Sequence, residues 1–186
     1  LALDGVWLIS DAGSYVYTGD FEARNMFRSG RVHNTPMVSD QEQNRFHGPN
    51  FLWTLEYDAI PSVRSVELQS DKEVIEASHA GYSRLDPPIR PVRKFSMLRD
   101  EGKFTVEDSF ECHLSSYDVS IPLQLAPGIS LGKVVGQRIE LTGQNRKFYI
   151  EWSSVGFWEM EVSTGWVSTS YGNRIEAPRL HWVSAQ

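Results

Sequence analysis

Pro91-Val-Arg-Lys-Phe-Ser-Met-Leu-Arg-Asp-Glu-Gly-Lys-Phe-Thr-Val-Glu-Asp108 sets two runs of β-branched, aromatic and polar residues on either side of a charged turn, Arg99-Asp-Glu-Gly102. A charged turn ending in glycine between two such runs is the signature of an antiparallel hairpin, because glycine supplies the backbone freedom that a tight reversal needs. The same grammar recurs on both sides. Val6 to Ile9 is a short apolar run closed by Asp11-Ala-Gly13. Ser14-Tyr-Val-Tyr17 alternates before Thr18-Gly-Asp20, which would put Tyr15 and Tyr17 on one face of a strand. His33 to Asp40, Phe51 to Tyr57, Val63 to Leu68 and Val74 to Ala77 follow at short intervals. Beyond the hairpin come Phe110 to Leu114, Ser120 to Leu125, Arg138 to Thr142 and Lys147 to Trp152. Many short strands at near-regular spacing predict an all-β fold, a two-layer antiparallel β-sandwich (supersandwich-like) with little helix. The best helical candidate, Thr18 to Phe27, is too short to change the class.

Composition agrees. With 186 residues, 40% hydrophobic and 23% charged, the chain can bury one core and lacks the signature of disorder. An aromatic content of 12% suits the half-buried surface of a sheet. Asp86-Pro-Pro-Ile-Arg-Pro91 reads as a stiff connector rather than a linker, and no repeat recurs at a fixed period, so residues 1–186 are expected to form one domain. A net charge of −6 argues against a general nucleic-acid binder, whose phosphate contacts need a basic face. A local arginine cluster can still meet a polyanion. Cys112 is the only cysteine, which excludes an internal disulfide and reads as a buried, inert thiol. No membrane span is expected, and Leu1-Ala-Leu-Asp-Gly5 has neither the basic start nor the apolar stretch of a signal peptide.

The sequence carries no P-loop, no dinucleotide-binding glycine motif, no Gly-x-Ser-x-Gly elbow and no Cys-x-x-Cys pair. Its densest polar segment runs from Asp11 to Arg45, rich in arginine and carboxylates, with Tyr15, Tyr17 and His33 among them. This segment reads either as a solvated loop or as a functional connection, long connections in compact domains being uncommon without a role in binding or catalysis. Arg24, Arg28 and Arg31 suit bidentate recognition of carboxylate or sulfate. His47, His113 and His181 show no usable spacing.

Asp11-Ala-Gly-Ser-Tyr-Val-Tyr17, Arg24-Asn-Met-Phe-Arg-Ser29, Val32-His-Asn-Thr35 and Asp40 resemble the start of the C-terminal domain of heparinase II/III-like polysaccharide lyases. His79-Ala-Gly-Tyr-Ser-Arg84, Arg93 to Asp108, and Trp166-Val-Ser-Thr-Ser-Tyr-Gly172 with Ala177-Pro178 continue the resemblance along most of the chain. It implies a C-terminal antiparallel sandwich joined to an upstream α/α toroid domain, the two together cleaving anionic, uronic-acid-containing polysaccharides such as glycosaminoglycan or alginate by β-elimination. It also implies a periplasmic or secreted protein. The family's catalytic His is expected upstream of residue 1, so none is assigned in this chain, and the chain alone is expected to be inactive.

By the same resemblance Asp11 and His33 correspond to two ligands of a zinc ion whose third ligand, another His, is expected upstream. Oxygen and imidazole donors suit zinc. The alternative is Asp11 holding its turn and His33 hydrogen-bonded in an interface. Tyr17, Arg24, Asn25, Arg28, Asn34 and His79 correspond to candidate substrate-binding positions. Ala12 stands where the family usually has Pro, and Met26 where many members have Tyr; a thioether has no acidic proton to give. Two other readings remain, a non-catalytic carbohydrate-binding module and a structural sandwich.

Overall fold

Local chemistry sets the elements in the computed structural model, which describes residues 1–111 and 117–184. Asp4 and Gly5, both at positive φ, turn strand β1 (Ala2–Leu3) back on β2 (Val6–Trp7), the reversal that an Asp-Gly pair favours. Helix α1 (Phe21–Arg28) begins on Asp20, whose carboxylate accepts the Ala23 N–H at 2.9 Å. Glu22 in its first turn and Arg28 in its last complement the helix dipole. After a 3₁₀ turn at Gly30–Val32 come β3 (Met37–Val38), β4 (Ser62–Leu68), β5 (Lys72–Ser78), β6 (Arg90–Leu98) and β7 (Lys103–Glu111). The chain continues with β8 (Val119–Gln124), β9 (Ser130–Val134), β10 (Arg138–Gly143), β11 (Arg146–Glu151) and two long strands, β12 (Trp158–Ser170) and β13 (Asn173–Ser184). The fold is all-β with antiparallel sheets, as the turn grammar predicts. Among the described residues, no helix is long and apolar enough to cross a membrane.

The described residues gather into two compact units. The first comprises Leu1–Met37, Gly48–Leu52 and Val119–Gln186. It holds a three-stranded sheet ordered β11-β10-β9 and a four-stranded sheet ordered β12-β13-β8-β3. Ile139 and Leu141 of β10 share one core with Leu180 of β13, Leu125, Ala126, Ile129, and Val6 and Leu8 from the N-terminal end. Side chains of both sheets meet there with almost no exposure, which makes this unit a two-layer sandwich. The second unit, Val38–His47 and Trp53–Asp118, is built on the meander β4-β5-β6-β7. The quoted hairpin is its β6–β7 pair, in unbroken register from Arg90↔Glu111 to Leu98↔Lys103, with Gly102 at positive φ in the turn. Arg93 and Asp108 face each other across that pair in a bidentate ion pair at 2.6 and 2.7 Å.

Several expected strands differ. Ser14 to Tyr17 is not a strand: Tyr15 lies at φ +56°, which breaks the alternation and removes the reason for its ring to share a face with Tyr17. Phe51 to Tyr57 contributes only the isolated bridge Phe46↔Leu55, and Phe51, Trp53 and Tyr57 are exposed rather than packed on a sheet. His33 to Asp40 contracts to Met37–Val38, because His33 closes the 3₁₀ turn. The helix starts three residues later than expected, at its Asp20 cap. Phe110 belongs to β7, whereas Cys112 to Leu114 lie outside the described residues.

Candidate functional site

The Asp11 turn is held from within. The Asp11 Oδ2 accepts the Gly13 N–H at 2.8 Å, closing a tight turn with Gly13 at φ +76°. A side chain on Gly13 would also collide with the Ser168 carbonyl. From there the segment runs along the tip of the β12–β13 hairpin: Ser168 N–H donates to Ala12 O, and Gly172 N–H to Tyr15 O, both at 2.8 Å. The other carboxylate oxygen, Oδ1, lies 2.7 Å from His33 Nδ1. His33 Nε2 lies 2.9 Å from the Phe27 carbonyl oxygen. A carbonyl only accepts, so Nε2 carries a hydrogen. The hydrogen bond from His33 holds the Asp11 carboxyl below the usual carboxylate range, with the Gly13 N–H acting in the same direction and burial opposing both. Both ring nitrogens of His33 are thus engaged, Nε2 by the Phe27 carbonyl and Nδ1 by the Asp11 carboxyl group. The expected approach of Asp11 and His33 is present, but neither residue lies in a strand.

The neighbouring candidates fix backbone. Asn34 donates to Ser10 O at 2.8 Å and accepts the Gln124 N–H at 2.6 Å, anchoring the chain just before Asp11 to β8. Asn25 Nδ2 donates to Phe21 O and Pro49 O, and its Oδ1 accepts from Arg28 Nη2 at 2.6 Å. Arg28 also donates to Phe51 O at 2.9 Å and Gly48 O at 3.2 Å. Asn25 and Arg28 thus tie the 48–51 loop to α1, and these guanidinium donors face carbonyls rather than an open cleft. Arg24 is half-buried one helical turn before Arg28, and Met26 is exposed. Tyr17 is exposed, with its ring 5.3 Å from that of Tyr171. His79 belongs to the second unit, where its Nδ1 accepts the Gly81 N–H at 3.1 Å and its ring packs 5.5 Å from Tyr82. Burial, then the nearby Arg90 and Arg93, push its pKa down and favour neutral imidazole.

A domain-family model, heparinase II/III-like, C-terminal, matches residues 1–181. The chain belongs to this family. No curated protein matches the chain. Its fold is similar to that of the heparan sulfate lyase HepC from Pedobacter heparinus, with a TM-score of 0.74 at 19% identity over 97% of this chain and 26% of that one. A heparinase III gene product gives a TM-score of 0.73 at 17% identity, covering 96% of this chain and 26% of that chain. This heparinase II/III-like domain therefore spans about a quarter of the length of the solved structures it matches.

Asp11 and His33 carry donor types that zinc accepts. They bring a carboxylate oxygen and an imidazole nitrogen together, but both ring nitrogens are already engaged, so a metal would have to take the place of the Asp11–His33 hydrogen bond at Nδ1. Among the described residues no group of three His, Cys, Asp or Glu comes together, so the third ligand is not found there.

The residues that the sequence reading passed over lie on the β12–β13 hairpin. Arg174 stacks over Trp166, 4.3 Å from the ring centroid, and over Tyr15 at 4.9 Å. The clustering of Trp166, Tyr171 and Arg174 in the sequence is the signal that points to it.

Proposed function

We propose that this domain is the sandwich part of a polysaccharide lyase that cleaves uronic-acid-containing polysaccharide by β-elimination, in the periplasm or outside the cell. The match of residues 1–181 to a lyase domain family is the observation that carries this reading. The Asp11–His33 pair supports it with chemistry. In a β-elimination a base takes the C5 proton, an acid protonates the leaving oxygen, and cationic groups neutralise the uronate carboxylate so that charge can build up at C5. Asp11 and the Phe27 carbonyl occupy both ring nitrogens of His33 and fix its orientation, so the pair presents no free base. Met26 offers no acidic proton. By the family resemblance the base and acid come from outside this chain, from an upstream α/α toroid and the family's catalytic His, and this chain positions backbone and recognises the anionic chain. Zinc, when bound by Asp11 and His33 with a third ligand from outside the described residues, would supply fixed positive charge at this end of the sandwich.

The test is to incubate the longer parent protein and this chain separately with heparan sulfate and with alginate. The expected result is an ultraviolet-absorbing unsaturated uronate from the parent and none from the chain alone. Saturated products from the parent, or turnover by the isolated chain, would overturn the reading.

A further inference from the structure

Among the described residues, Arg45, Arg64, Arg93, Arg99, Arg138 and Arg146 each face a carboxylate, that of Asp58, Glu111, Asp108, Glu73, Glu151 and Asp4. Arg174 is built differently. Its guanidinium is exposed, spread over two aromatic rings, and has no hydrogen-bond or ion-pair partner among the described residues. Glu176 stands directly opposite Trp166 in the β12–β13 ladder, yet forms no ion pair with it. Arg138 makes the useful contrast: it too lies over a ring, 3.8 Å from the Tyr149 centroid, but Glu151 already occupies it at 3.3 Å.

Tyr15, beneath Arg174, also lines a groove of about 210 Å³ with Tyr17, Tyr171, Ser168 and Ser170. The Tyr17 and Tyr171 rings meet at 5.3 Å and are both exposed. Two backbone hydrogen bonds, Ser168 to Ala12 and Gly172 to Tyr15, fix this loop against the hairpin that carries Arg174 and Tyr171. The floor is therefore preorganised by main chain. The groove is shallow, with room for one sugar ring.

We infer that Arg174, Tyr17 and Tyr171 form a subsite for one anionic sugar residue, one tyrosine ring stacking on its apolar face with the other, tilted by 48°, flanking it, and Arg174 pairing with its carboxylate or sulfate. The parts match the ligand. An aromatic platform suits the C–H face of a pyranose, the serine and tyrosine hydroxyls suit its hydroxyls, and a planar guanidinium takes an oxyanion through two parallel hydrogen bonds. Stacking holds the fork in place before binding, which lowers the ordering cost. The inference rests on the lyase reading for the class of polysaccharide, but it is read by binding rather than by cleavage.

The test is titration calorimetry of this chain with a heparan sulfate tetrasaccharide, an alginate tetrasaccharide and, as the neutral control, cellotetraose. The alginate arm carries carboxylate without sulfate and so separates the two anions. At least one anionic probe is expected to bind ten-fold or more tighter than cellotetraose. Arg174→Gln should weaken that probe at least ten-fold, and Tyr171→Ala several-fold. Arg174→Lys, which keeps the charge and loses the fork, should fall in between. Arg138→Gln should leave binding within two-fold of the parent. Thermal melts of each variant check that the hairpin still folds. Anionic binding that survives both Arg174→Gln and Tyr171→Ala would remove the subsite and leave the lyase reading standing. Equal binding of the neutral probe, or no binding of any probe at millimolar concentration, would also overturn the subsite, whereas the lyase reading falls only on the parent's products.

Discussion

Asp11 does two things with one carboxylate. Oδ2 closes the Gly13 turn and Oδ1 meets His33, so the turn role that the sequence offered for Asp11 is present together with a direct contact to His33. The pairing was legible from the order of Asp11 and His33 in a family-like segment. The Phe27 carbonyl that fixes the ring was not, because main-chain acceptors leave no mark on side-chain identity. Titration follows from the geometry. The His33 hydrogen bond is the largest influence lowering the Asp11 pKa. A lowered carboxyl pKa contributes stability that is complete above the unfolded value of about 4 and is lost as pH falls through the folded value. Asp11 is substantially exposed, so its share of stability is small, and the shift is best read directly by NMR of its carboxyl carbon. In His33→Gln the Asp11 midpoint should rise towards the ordinary range and stop short of it, because the Gly13 N–H still donates. An unchanged midpoint would show that His33 does not govern Asp11.

At the level of elements, the short apolar-alternating strands were readable and the longest ones were not. β12 alternates only over Trp158-Glu-Met-Glu-Val162 and exposes most of its residues, so its full thirteen residues are set by pairing with β13 rather than by periodicity. Aromatic content misled in the other direction at Phe51 to Tyr57, where exposed rings sit in a loop. The start of α1 is fixed by a cap that sequence rules describe well: Asp20 followed by Glu22 in the first turn. α1 has only eight residues, too few to persist on propensity alone, so the cap matters. Asp20→Ala should cost about 1 kcal/mol in denaturant unfolding, and Asp20→Asn or Asp20→Ser much less. The helix also carries Asn25 and Arg28, which hold the 48–51 loop, so amide exchange in that loop should quicken in Asp20→Ala. A variant as stable as the parent, with unchanged exchange, would show that tertiary contacts alone position α1.

At the scale of the molecule, the sandwich core is assembled from distant parts of the chain, which is why its composition could not be read locally. Val6 and Leu8 near one end, Ile139 and Leu141 in the middle and Leu180 near the other share one cluster. Alternation says which residues of a strand face inwards, but not which sheet they meet. The fold class was therefore open to the sequence, and the partnership of β8 with β13 was not. Leu180 is fully buried, so truncating it to Ala should cost about 2–5 kcal/mol through lost burial and the cavity left behind. The chain carries its own reporter for this unit. Of its six tryptophans only Trp53 lies in the second unit, and the edge-on pair Trp152–Trp182, with centroids 5.8 Å apart, packs against the core around Leu180. Fluorescence-detected urea unfolding thus reads the sandwich almost alone. Leu68→Ala is the matched control, a leucine 70% exposed on β4 in the second unit, and it should leave the fluorescence transition within about 0.5 kcal/mol of the parent. If Leu180→Ala shifts that transition no more than Leu68→Ala does, the two sheets of the first unit do not share the core described for them.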